Sequence, residues 1–230
     1  MVSFQPDKKA CKVGFDAGAR KIVNPRTIIT EIAAAGALIG SYPLDWLVKQ
    51  GEPYFGAPTS EPVILLHGFG GSRANLLALA AYLRLAGFDN VSYFEYPRWQ
   101  TVDDSAARLG RVVEEKSGAK GAHLIGHSLG GAVARRYAVR APKGAVRSLV
   151  TLGSPYAYGQ WSPTETGIFG DDDPIVPAPI EALMNRAAFG RIVTLHEVGH
   201  LALIFHPEAL RIVGAELRAN RASERNGTPD

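Results

Sequence analysis

The clearest chemical potential lies at 126–130, where Ser128 is framed as Gly126-His127-Ser128-Leu129-Gly130, directly after a short apolar run and directly before a helix-like stretch. A serine held in a tight strand-to-helix turn has its Oγ pushed clear of the sheet, and flanking glycines remove the Cβ atoms that would clash there. The N–H of Leu129 then points at the same place, at the positive end of the following helix, and can hydrogen-bond a developing oxyanion. A bare Gly-x-Ser-x-Gly also arises as an ordinary glycine-rich turn, so its neighbours must decide.

A serine hydroxyl is a weak nucleophile until a base takes its proton. His196, His200 and His206 follow the last strand-like segment. His200 is the favoured base, because Gly199 lets the loop turn the ring back over the sheet edge. His196, nearer the strand, is the second choice, and His206 reads as an ordinary helix-flanking residue. The imidazole needs a carboxylate to fix its tautomer. Asp173 is favoured because Pro174 fixes the turn after it and Ile175-Val176 anchor the loop, whereas Asp171 and Asp172 read as solvated loop. A second oxyanion donor, the N–H of Phe69, is expected on the loop His67-Gly68-Phe69-Gly70-Gly71, with His67 positioning that loop. Phe69, Trp99, Tyr156 and Trp161 are candidates to line an apolar substrate pocket, although packing is the commoner fate of each.

His196-Glu197-Val198-Gly199-His200 also matches His-Glu-x-x-His. Zinc binding would need both histidines on one face of a helix, with the glutamate activating a metal-bound water. A strand leads into this pentapeptide and Gly199 interrupts it, so a helix is disfavoured and neither a metal nor any other cofactor is expected.

Strands and helices must place these groups. The pattern predicts strands over 62–66, 91–96, 122–126, 146–152, 167–170 and 191–195, and helices over 72–85, 102–116, 129–140, 180–189 and 207–218. Strands alternating with helices imply a mostly parallel sheet covered on both faces, with sites at the carboxyl ends of its strands. Residues 222–230 read as a polar, frayed tail.

The chain of 230 residues, 46% hydrophobic and 20% charged, suits one substantial α/β core, carried by 61–230. A net charge of +3 with interspersed signs excludes the dense basic stripe of a nucleic-acid binder. Residues 1–60 form an extension. Lys8, Lys9, Lys12, Arg20, Lys21 and Arg26 precede an apolar stretch. A secretory signal fits poorly, since Asp7 and Asp16 fall in its basic region, Glu31 interrupts the apolar run and Pro43 closes it. The stretch is also too short to span a bilayer. It reads as a helix over 27–40, packed on the core or covering the site, with peripheral lipid or membrane contact through 28–47 the minority reading. Cys11, the lone cysteine, leaves the compartment open, with the cytoplasm favoured over a secreted or membrane-associated location.

Val63 to Gly71, Gly126 to Gly131, the Gly170 to Pro177 loop and Gly199-His200 together resemble the α/β-hydrolase superfamily, and within it small bacterial lipases and esterases. The resemblance covers roughly 61–218. It implies an α/β-hydrolase fold and a carboxylic ester hydrolase acting on apolar acyl esters or lipids, with Ser128, Asp173 and His200 as triad and Phe69 and Leu129 as oxyanion donors. The chain order Ser, Asp, His agrees. Gly153-Ser154-Pro155-Tyr156 departs from the Thr-Pro-His-x-Gly run of related lipases, and the short span from 154 to 170 implies a small or absent cap. A thioesterase, acyltransferase or perhydrolase on the same fold, a non-catalytic binding module and, as the remotest reading, a His-Glu-x-x-His zinc metalloprotease are the rivals.

Overall fold

The computed structural model describes residues 24–50, 61–97, 99–155, 165–177 and 190–225. Six parallel strands form one sheet: β1 (Val63–Leu66), β2 (Val91–Phe94), β3 (Ala122–His127), β4 (Val146–Leu152), β5 (Glu165–Gly170) and β6 (Arg191–Leu195). Their spatial order is β2-β1-β3-β4-β5-β6. The chain leaves β1 in one direction to β2 and then crosses to β3 on the other side. The carboxyl ends of β1 and β3 therefore flank the switch point, where the strand order reverses and a crevice opens.

Alternation along the strands divides the core. Val63, Leu65, Ile125, Val150 and Leu152 face one side, against α2 (Leu77–Leu85) and α5 (Pro207–Arg225). Ile64, Leu66, Leu124 and Leu149 face the other, against α3 (Val102–Ser117) and α4 (Leu129–Ala138). Strands buried on both faces must be apolar at successive positions, and β1 is so throughout. The α2 segment is preceded by a 3-10 turn, Arg73–Leu76. Ser72 begins it, but the bond is made by Asn75, whose Oδ1 accepts the Ser72 N–H at 2.7 Å, while the Ser72 Oγ has no hydrogen-bond partner among the described residues.

Helix α1 departs from expectation. It runs from Pro25 to Gln50, straight through Pro43, where a stop was expected after 40. Proline removes one backbone donor and crowds the carbonyl one turn back. The surrounding turns are held nonetheless: Ser41 Oγ donates to the Leu38 carbonyl at 2.7 Å, and Asn75 Nδ2 donates to Ser41 Oγ at 3.0 Å. Helix α5 likewise continues past 218 into the segment expected to fray. Polar partners account for this, since Asn220 Nδ2 donates to the Arg147 carbonyl at 2.7 Å and Arg221 Nε to Glu61 at 2.9 Å. The helix expected over 180–189 lies outside the described residues. No described helix is long and apolar enough to cross a membrane.

Candidate active site

At the end of β3 the backbone turns sharply, with Ser128 at φ 52 and ψ −123 before α4 begins at Leu129. A left-handed φ at a residue with a Cβ is strained, and the surroundings enforce it. The Ser128 N–H is bonded to the Leu152 carbonyl at 2.8 Å. A Cβ at Gly130 would stand 2.5 Å from the carbonyl oxygens of Leu66 and His67, so only glycine lets α4 start this close to the end of β1.

The loop after β1 is fixed by His67. Its Nδ1–H donates to the Gly68 carbonyl at 2.8 Å, and its ring stacks on Tyr96 with centroids 4.7 Å apart. Tyr96 in turn donates its hydroxyl to the His67 carbonyl, and burial raises the phenol above its ordinary range. Phe69 follows on this loop.

Asp173 and His200 come together behind the serine. The His200 Nδ1–H donates to Asp173 Oδ2 at 2.7 Å, and the side chains are 4% and 0% exposed. Asp173 Oδ1 accepts the N–H groups of Ile175 and Val176, each at 2.8 Å. Both carboxylate oxygens are thus occupied, and Nδ1 of His200 is held as the donor to Asp173. His127 supports the backbone: its Nε2–H donates to the His200 carbonyl at 3.1 Å, with ring centroids 4.9 Å apart. Burial, and then the adjacent His200 imidazole, push His127 down to about 3, so it is neutral at ordinary pH. Gly153, at the end of β4, makes room for the pair, because a Cβ there would lie 3.1 Å from His200 Nδ1 and 3.2 Å from Asp173 Oδ2.

Ser128 and His200 open on one cavity of about 230 Å³, lined also by Leu38, Phe69, Ile175 and Ile204. A larger groove of about 540 Å³ lies along α1, with Ala33, Ala37, Val198 and Phe205 on its walls, but it contains neither Ser128 nor Asp173. Trp99 is 86% exposed and does not border the 230 Å³ cavity. Tyr156 and Trp161 lie outside the described residues.

The other two aspartates are not solvated loop. Asp172 is buried and accepts the Thr27 hydroxyl at 2.9 Å, because α1 covers it. Asp171 accepts the His196 Nδ1–H at 2.7 Å and the Glu197 N–H at 2.8 Å. His196 itself is 83% exposed, and its bond to Asp171 raises its pKa. The two histidines of the His-Glu-x-x-His pattern therefore face different carboxylates, and the pentapeptide is a turn with Glu197 at φ 58, not a helix. Among the described residues no cluster of three or more His, Cys, Asp or Glu is arranged to hold a metal ion.

Sequence reasoning passed over Glu31, Leu38, Asn75 and Gly153. The available signals were a single carboxylate inside an apolar helix and a glycine at a strand's carboxyl end.

The model of the alpha/beta hydrolase fold matches residues 61–167. Over 112 residues the chain is 36% identical to Lipase 3 of Moraxella sp. (strain TA144), covering 45% of this chain and 34% of that one. The chain thus matches about a third of the length of its curated lipase relatives. Among solved structures it is similar to MGS-MChE2, an alpha/beta hydrolase enzyme from a sediment metagenome of the Mar Chica lagoon, Morocco. The TM-score is 0.60 at 21% identity, over 72% of this chain and 93% of that one. It is also similar to the type II thioesterase BorB of the borrelidin biosynthetic cluster, with a TM-score of 0.58 at 22% identity, over 73% and 95%. At such identities the likeness carries the fold. Sheet topology, matched model and structural likeness together show that the chain has the α/β-hydrolase fold.

Proposed function

We propose that the chain is a serine carboxylic ester hydrolase. The observation that supports this most is the 2.7 Å His200–Asp173 bond beside a cavity that Ser128 also lines. In the proposed reaction, Ser128 Oγ bonds to the ester carbonyl carbon while His200 Nε2 takes its proton and the carbonyl electrons move onto oxygen. That oxyanion rests on the N–H groups of Phe69 and Leu129. His200 gives the proton to the departing alkoxide, leaving an acyl-serine; it then takes a proton from the water whose oxygen bonds to the acyl carbon, and returns that proton to Ser128 Oγ as the acyl–serine bond breaks and the acid leaves.

The cavity's apolar lining suits an apolar acyl group. Its volume of about 230 Å³ falls below the roughly 300–1,000 Å³ of drug-sized sites, which favours short acyl chains. Thioester cleavage uses the same steps, so thioesters belong in the substrate panel.

The test is hydrolysis of a chain-length series of nitrophenyl esters and acyl thioesters by wild type and Ser128→Ala, with fluorophosphonate labelling of the serine. Wild type hydrolyses the short esters and labels; Ser128→Ala loses both. Near-native hydrolysis by Ser128→Ala, or activity abolished by a chelator but untouched by the fluorophosphonate, overturns the reading.

The outward face of α1 supports contact with an anionic lipid surface. Ile28, Ile29, Ile32 and Ile39 are 48%, 66%, 68% and 70% exposed, an unusual number of large apolar groups for one solvent-facing helix. The cations at 8, 9, 12, 20, 21 and 26 precede it in sequence against acids at 7 and 16 only, a charge balance that favours anionic headgroups.

A further inference from the structure

Helix α1 lies outside the segment matched by the family model, yet its inward side chains bond to both loops that carry the acid and the base. Thr27 reaches Asp172, the neighbour of Asp173, at 2.9 Å. Asn24 Nδ2 donates to Glu197 Oε1 at 2.6 Å on the loop leading to His200. The contact nearest the imidazole comes from Glu31. One of its carboxylate oxygens accepts the Leu201 N–H at 3.0 Å and the other accepts the Ala202 N–H at 2.7 Å. These are the first two amides after His200, at the start of the short 3-10 turn Ala202–Ile204, and such leading amides have no partner within their own turn.

Gly199 completes the fit. A Cβ there would stand 2.5 Å from both Cγ and Cδ of Glu31. The residue ahead of the base is bare because a carboxylate from a helix far away in sequence occupies the space its side chain would need.

Building on the ester-hydrolase reading, we infer that Glu31 is a positioning residue for His200. Three groups then hold the base from three sides: Asp173 the ring nitrogen, His127 the carbonyl, and Glu31 the two amides that follow. An ionised carboxylate accepting two N–H groups makes stronger bonds than a neutral acceptor, so this loop is held more firmly than ordinary turn contacts would hold it. A base displaced by about 1 Å can lose about 10²-fold in rate, which is the scale on which such an anchor acts. Glu31 does not border the cavity that Ser128 and His200 share. Its loss therefore lowers kcat and leaves KM nearly unchanged.

The experiment compares Glu31→Ala, Glu31→Asp and Glu31→Gln in the full chain, reading kcat, KM and the rate of fluorophosphonate labelling on a short nitrophenyl ester, with circular dichroism as the check of folding. Alanine lowers kcat and the labelling rate in parallel by about 10- to 100-fold, with KM within about 2-fold of wild type. Aspartate keeps the charge but withdraws the oxygens by one methylene, and loses about 10-fold. Glutamine keeps one acceptor but removes the charge and sets an NH2 donor against the other amide, and falls between alanine and wild type. Gly199→Ala, which displaces Glu31 from the opposite side, reproduces the alanine result. A folded Glu31→Ala with wild-type kcat and labelling rate overturns the inference; should alanine not fold, wild-type kcat in Glu31→Asp does the same. Failure of the underlying reading looks different, because wild type itself would then neither label nor depend on Ser128.

Discussion

Acidification from about pH 7.5 to about pH 5 tests the two histidines that the fold buries in neutral form. His127 is enclosed beneath the site, and burial with the neighbouring His200 ring takes it from 6.5 to about 3. His123 is enclosed in β3 with Nδ1 on the Ser148 hydroxyl at 2.7 Å, and burial followed by the Arg147 charge takes it from 6.5 to about 4. Because both folded values are depressed, the unfolded chain binds protons first. The stability tied to each group is fully present above about 6.5 and is lost as pH falls toward the folded value. Over this pH interval each imidazole forfeits about 2 kcal/mol and the pair about 4 kcal/mol, a large share of a stability of about 5–15 kcal/mol. His196 runs the other way, since its bond to Asp171 raises its pKa and its contribution grows as pH falls through the same range; His196→Gln removes that offset. Asp103 and Glu61, both held below their ordinary carboxylate values, lose their contributions below the interval. Urea unfolding at the two pH values, in the His196→Gln background, should show the midpoint falling with acid. Adding His123→Gln and His127→Asn should flatten the dependence to about 1 kcal/mol or less. A double variant that keeps the full pH dependence, or a parent that shows none, refutes the reasoning.

Two further outcomes follow from packing. The buried pair Arg135–Glu165 is bidentate at 2.7 and 2.8 Å, with Thr151 also donating to Glu165 and Arg135 also donating to the Pro155 carbonyl. Glu165→Gln leaves the buried guanidinium without its counter-charge and should cost about 3–5 kcal/mol in urea unfolding, whereas Arg135→Met with Glu165→Leu should cost less than that single change; a Glu165→Gln cost below about 1 kcal/mol contradicts this. On the α1 surface, Ile29→Ser with Ile32→Ser removes two apolar groups worth about 1.5–3 kcal/mol each when fully buried, so partition onto phosphatidylglycerol vesicles should drop at least about 10-fold at unchanged thermal stability; equal sedimentation of both proteins with vesicles sinks the lipid-surface reading.

The parts of the fold legible in the sequence are those whose constraints are local. Val63 to Leu66 must be a strand buried on both faces because four successive apolar residues bounded by a proline and a glycine-rich loop have few other fates. The elbow is legible for a similar reason, since its glycines answer to backbone only a few residues away. Long-range partners are not legible. Asp172 reads as solvated until α1 covers it, and nothing in the run of three aspartates says that Thr27 will arrive. Helix α1 runs on through Pro43, and Asn75 bonds Leu38 and Ser41 in the turn just before that proline, a contact between segments that no window of sequence contains. Gly199 reads from the sequence only as a turning point in its loop; that a Cβ there would press on Glu31 depends on a helix far away in sequence.

Glu31 and Gly153 bear on how His200 and Asp173 come to be so fully enclosed. The Asp173–His200 bond gains strength from its burial, because a charge-assisted hydrogen bond is worth more at low dielectric. On one side that burial depends on Gly153, where any larger residue would press on both partners and on Leu203. On the other it depends on α1, whose Ala34 and Leu38 pack into the core cluster that contains Val198, Ala202 and Leu203. Those residues bracket His200 in sequence. The helix that covers His200 is therefore the one whose Glu31 accepts the two amides that follow it, and the two contributions separate experimentally: a shorter carboxylate at 31 shifts the hydrogen bonds while leaving the apolar cover in place.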